Sequence, residues 1–104
     1  MKELLTEVQA TVFMEYERSK AKFGAANNGP HESYAVILKE FDEAFDKGAK
    51  FKWQLDFFWK SVKDNTSGAV FLDAMRQFAE EAAAEWIQVA AMCYKATKKK
   101  GEKP

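Results

Sequence analysis

A chain of 104 residues has room for about one small domain, and 47% hydrophobic residues set it apart from disordered compositions. Sixteen Lys and Arg balance sixteen Asp and Glu, which removes the electrostatic basis for binding nucleic acid or a membrane surface. The single Cys93 excludes an internal disulfide framework and fits a reducing, cytoplasmic setting.

Residues 1–10 carry charges and lack the apolar run of a signal peptide. No stretch reaches the ~18 apolar residues of a membrane span. Two prolines, five glycines and an abundance of Ala, Glu, Lys, Phe and Met favour an all-α fold. A first helix is predicted over 3–22, because Leu5, Val8, Val12 and Tyr16 recur at steps of three and four. Gly24 is its stop, and 24–30 is a loop. Pro30 suits the first position of a second helix, where its missing N–H costs little. That helix is predicted to end at Gly48, with an apolar stripe of Tyr34, Ile37, Leu38, Phe41, Ala44 and Phe45.

Residues 49–68 are ambiguous. Phe51, Trp53, Leu55 and Phe57 alternate as in a strand, while Phe51, Leu55, Phe58 and Val62 recur as in a helix. A lone strand would have no partner, so a short helix over 52–63 is predicted. Residues 64–68 are then a turn. Its Asp64 and Asn65 faintly resemble a calcium loop, without the later Glu and the alternating ligands of one. The longest helix is predicted over 69–98. Leu72, Met75, Ala79, Ala82, Ala83, Trp86, Ala90 and Cys93 make so broad an apolar side that it must pack against more than one neighbour. Residues 1–98 read as one domain and 99–104 as a flexible charged tail.

Two helices offer paired oxygen donors three residues apart: Glu40 with Glu43, and Glu85 with Gln88. Residues so spaced project from nearly the same side of a helix. Packed antiparallel, the two helices would gather three carboxylates and one amide around a shared cavity. Hard oxygen donors without His or Cys suit Mg²⁺ or Mn²⁺. A di-iron bundle needs a Glu-x-x-His on two helices, and His31 is the only histidine. A nucleophilic triad lacks residues as well. Glu81, four before Glu85, is an alternative donor or a solvated charge. His31 reads as a helix-start residue, and Trp86, Met75 and Met92 read as core.

The run Pro30-His31-Glu32-Ser33-Tyr34-Ala35-Val36-Ile37-Leu38-Lys39-Glu40-Phe41-Asp42-Glu43-Ala44-Phe45-Asp46, preceded by Lys22-Phe23-Gly24, resembles small phage and prophage members of the MazG-like superfamily. So does Glu85-Trp86-Ile87-Gln88-Val89-Ala90-Ala91-Met92. Those proteins are all-α nucleoside triphosphate pyrophosphohydrolases with Glu-x-x-Glu on one helix and Glu-x-x-Asp on a later one. Here Gln88 stands where the pattern has Asp. The resemblance implies a helical bundle completed by oligomerisation, as a homodimer or homotetramer. It implies a nucleoside triphosphate substrate, Mg²⁺ or Mn²⁺ held by Glu40, Glu43, Glu85 and Gln88, and catalysis by the three carboxylates. Lys95 and Lys98, one or two turns beyond Gln88, become candidates for phosphate contacts. The alternative is a catalytically weak or inactive helical interaction or structural protein of phage origin on the same fold.

Overall fold

The computed structural model describes residues 1–98, which are all-helical: α1 spans Lys2–Phe23, α2 Pro30–Lys63 and α3 Ala69–Ala96. The tail expected at 99–104 lies outside the described residues.

The first helix ends as its sequence suggests. Gly24 adopts φ 93°, and its N–H donates to the Lys20 carbonyl at 2.9 Å. The following loop is closed by the buried Asn27, whose Nδ2 donates to Ser33 Oγ at 2.9 Å. Pro30 is the first residue of α2.

The second helix does not end at Gly48. It continues for 34 residues to Lys63 and absorbs the ambiguous segment, so the separate short helix is instead the distal half of α2. A mid-helix glycine costs ~1 kcal/mol relative to alanine, and tertiary packing outweighs that here. The residues of α2 turned toward α3 are Ile37, Glu40, Ala44, Lys47, Phe51, Gln54, Phe58 and Ser61, all buried or half-buried. Their steps of three and four average the 3.5 residues of a coiled-coil seam. Gly68, Phe71, Met75, Phe78, Ala82, Glu85, Val89 and Met92 repeat the spacing on α3. A turn over 64–68 reverses the chain, so α2 and α3 form a long antiparallel hairpin. Ion pairs Lys50–Asp46 (3.0 Å), which spans the glycine, and Lys52–Asp56 (2.6 Å), which follows it, brace α2 there. Gly48 has open space around the place a Cβ would occupy. Gly48→Ala should therefore stabilise the protein by ~0.5–1 kcal/mol, read as a melting temperature raised by a few degrees at fixed protein concentration.

Helix α1 lies along the C-terminal half of α3. Tyr16 is buried against Ala91 and Met92, with Val12, Val36 and Ile37 around it. Its ring meets Tyr94 edge-on at 4.7 Å. The long hairpin reaches well beyond α1, giving extents of 60 × 30 × 21 Å. The radius of gyration is 17.7 Å, against ~13 Å for a compact domain of this length.

Candidate functional site

Polar residues recur every seventh position in the α2 seam: Glu40, Lys47, Gln54 and Ser61. On α3, Glu85 takes the seam position that Phe71, Phe78 and Met92 fill elsewhere. A charge at such a position weakens the seam. Here Glu40 and Glu85 face one another, and Glu43, one turn along α2, closes the group from the solvent side. Carboxylate oxygens of Glu40, Glu43 and Glu85 all lie within 4.8 Å of one another. Thus the structure brings together all three carboxylates singled out in the sequence.

Three acids this close resist simultaneous ionisation. Burial raises the Glu40 pKa above its ordinary value, reinforced by the charges of Glu43 and Glu85 and by a hydrogen bond with Glu43; Lys39 opposes the shift. Glu85 is raised by burial, then by a hydrogen bond with Glu43 and the charge of Glu43, with Lys47 pulling the other way. The folded protein thus takes up protons at Glu40 and Glu85 more readily than the unfolded chain. Their contribution to stability is fully present below about pH 4.5, the ordinary value, and is lost as pH rises through the folded values. Near neutrality the group repels itself. Glu43→Gln should therefore raise the melting temperature of the metal-free protein by a few degrees at pH 7.5, with the gain fading toward pH 4.5. A melting temperature unchanged or lowered at pH 7.5 would refute the repulsion.

The donor set suits a small hard cation. Its three carboxylates, each offering an oxygen within 4.8 Å of the others, are the hard donors that Mg²⁺ or Mn²⁺ takes. Lys39 and Lys47 offset only part of the repulsion, and Lys47 pairs with Glu81 at 3.5 Å. That contact makes Glu81 an ion-pair partner, and it stands outside the cluster. Millimolar Mg²⁺ or Mn²⁺ should raise the melting temperature, more at pH 8 than at pH 5, where protons compete for Glu40 and Glu85.

Gln88 has a different partner. Its Nε2 donates to Glu15 Oε1 of α1 at 2.7 Å, and Arg18 donates to the other oxygen of Glu15 at 2.7 Å. A carboxylate only accepts, so this bond fixes which end of the Gln88 amide faces α1. Glu15, Arg18, Lys22, Glu40 and Gln88 share the wall of a cleft of about 270 Å³ between α1 and the hairpin. Sequence reasoning missed Glu15, Arg18 and Lys22, because α1 carries no donor pair resembling those on the hairpin. Lys95 is buried, with its ammonium 5.9 Å from the centre of the Phe23 ring. Lys98 lies over Tyr94 at 4.6 Å and at the edge of a separate cavity of about 580 Å³. His31 is exposed in the first turn of α2. Trp86 is half-exposed and packs edge-on against Phe41 at 5.8 Å.

Comparisons with protein-family models, curated proteins and solved structures find no match. Among the described residues, no helix is long and apolar enough to cross a membrane.

Proposed function

We propose that the chain is a MazG-like, Mg²⁺-dependent pyrophosphohydrolase that converts a nucleoside or deoxynucleoside triphosphate to the monophosphate and pyrophosphate. One observation carries this reading: Glu40, Glu43 and Glu85, picked out by spacing and by resemblance, converge across the α2–α3 seam to within 4.8 Å. These three would hold the cation, with the Gln88 amide oxygen as a weaker fourth donor. When bound, Mg²⁺ supplies charge neutralisation for the triphosphate and makes a coordinated water more acidic. A carboxylate oxygen of the cluster left free of the cation would accept the proton of the attacking water. Water's hydroxyl adds to the α-phosphorus, and pyrophosphate leaves. Arg18 and Lys22, on the cleft wall beside Glu40, join Lys95 and Lys98 as proposed phosphate contacts. A homodimer or homotetramer goes with this reading.

A second reading, a helical interaction protein with weak or lost catalysis, is favoured by one fact. Gln88 supplies no charge where the pattern has Asp, and its amide is tied to Glu15. Incubation with each common nucleoside and deoxynucleoside triphosphate and Mg²⁺ or Mn²⁺ separates the two. Pyrophosphate release from at least one substrate is expected. Its absence from all of them would leave the interaction reading.

A further inference from the structure

Of the donors assigned to the candidate site, Gln88 alone has two unlike ends. An ionised carboxylate accepts on either oxygen, whereas an amide accepts at Oε1 and donates at Nε2. The end turned toward Glu40 decides what Gln88 does there. With Nε2 inward, it donates a hydrogen bond to a carboxylate and competes with a cation for the same oxygens. With Oε1 inward, it is a further oxygen donor of the kind Mg²⁺ or Mn²⁺ takes. Left to itself beside acids, an amide favours the first arrangement, because a hydrogen bond to an ionised acceptor is the stronger one. The structure gives the nitrogen another acceptor. Nε2 donates to Glu15 Oε1 of α1 at 2.7 Å. Glu15 is itself held, since Arg18, one turn along α1, donates to its Oε2 at 2.7 Å. The Glu15 side chain is only 17% exposed and that of Arg18 72%, so the guanidinium balances the Glu15 charge from the solvent side. Glu15 stands outside the group of three carboxylates, but it shares one cleft wall with Gln88 and Glu40.

We infer that Glu15 is a positioning residue: by holding the amide nitrogen of Gln88, it turns the amide oxygen toward the carboxylates and makes Gln88 a ligand of the cation instead of a hydrogen-bond donor to Glu40. The inference rests on the cation-binding reading of Glu40, Glu43 and Glu85 proposed above. It also gives the departure at position 88 a physical account. An Asp there would need no orienting partner, since both of its oxygens accept. A Gln needs one, and α1 supplies it. Groups that orient a metal ligand through its far end matter ~10–100-fold in metal affinity. Helix α1, which carries no member of the carboxylate cluster, thereby becomes part of the site.

Calorimetric titration of the full chain with Mn²⁺ alone tests it. Glu15→Ala should weaken Mn²⁺ binding ~10-fold, with helical circular dichroism retained. Glu15→Gln should stay within about threefold of the parent, because its amide oxygen still accepts from Gln88. In a Gln88→Ala chain, Glu15→Ala should cost less than about twofold, since the group it orients is gone. Glu15→Met, which keeps the bulk of the side chain and removes the acceptor, takes the place of Glu15→Ala should that variant unfold. Equal losses in the parent and the Gln88→Ala chain would show that Glu15 merely supports the fold, and would overturn the inference. So would a loss for Glu15→Gln as large as that for Glu15→Ala, which would trace the effect to charge and not to orientation. A parent that binds Mn²⁺ and is untouched by Glu15→Ala overturns this inference alone. A parent that binds no Mn²⁺ overturns the cation site itself, and this inference with it.

Discussion

Glu40→Gln should lower pyrophosphate release at least 100-fold, and Glu85→Gln should do the same. Each substitution keeps the size of the side chain and removes one of only three negative charges in the cluster. A neutral amide binds a hard cation far less well than a carboxylate. A 100-fold loss corresponds to ~2.7 kcal/mol of transition-state stabilisation, modest for removal of a charged donor from a partly buried site. The loss should come with loss of the metal-induced rise in melting temperature, which separates a binding defect from a folding one. Glu81→Gln is the informative comparison. Glu81 is also an exposed acid on α3, four residues before Glu85, but it pairs with Lys47 and stands apart from the cluster. It should change release by less than about threefold, the range expected of an exposed ion pair worth ~0–1 kcal/mol. Equal losses for Glu81→Gln and Glu85→Gln would mean that general acidity of the surface, and not this cluster, supports the activity.

The gain in stability expected of Glu43→Gln and the loss of release expected of Glu40→Gln and Glu85→Gln belong to one physical cause. Three carboxylates facing each other across a helical seam cost folding energy at neutral pH, and the cation of the proposed reading would recover it. A chain selected for stability alone would place an apolar residue at Glu85, in line with Phe71, Phe78 and Met92. Retaining charge there is the pattern expected of a binding site carried at the expense of the fold.

Much of this arrangement is legible in the sequence. The C-terminal end of α1 and the start of α2 follow from Gly24 and Pro30, because capping is local chemistry. The three carboxylates follow from spacing, because two antiparallel helices bring matching pairs together. The continuity of α2 through Gly48 is less visible, since propensity argues for a break. What decides it is non-local: Phe57 meets Phe71 of α3 with ring centres 5.8 Å apart, and Phe51 and Phe58 are half-buried in the seam. A seven-residue pattern does hint at it, with Ile37, Ala44, Phe51 and Phe58 apolar and Glu40, Lys47, Gln54 and Ser61 polar. The tie between Gln88 and Glu15 leaves no trace in the sequence, because it joins residues 73 apart. Burial of Lys95 is equally hidden: a lysine in a last helical turn normally faces water, and this one is covered by Phe23 from the end of α1.

Gly68→Ala should lower the melting temperature by about 10 °C or more, the largest stability change expected at any single glycine of the chain. Gly68 opens α3 in the left-handed conformation, φ 64° and ψ 6°, which costs a residue with a Cβ ~1–2 kcal/mol. An added Cβ would also lie 2.8 Å from Phe58 Cδ1 and 3.2 Å from Ser61 Cβ. Neither neighbour yields easily: Ser61 is buried, and Phe58 is half-buried in the seam. Together the two effects amount to ~2–4 kcal/mol, and ~4–8 °C is lost per kcal/mol in a domain of this size. The turn also sets the register of the hairpin. A one-residue slip between α2 and α3 would rotate a helix by ~100° and take Glu85 away from Glu40. Gly68→Ala should therefore reduce the metal-induced rise in melting temperature as well as the melting temperature itself. Gly48→Ala provides the control. It stands ~20 Å farther along α2 at 1.5 Å per residue, meets nothing, and should restore a few degrees to the Gly68→Ala protein additively, as distant independent sites do. It should not restore the response to metal, because the lost response comes from the register and not from helix propensity.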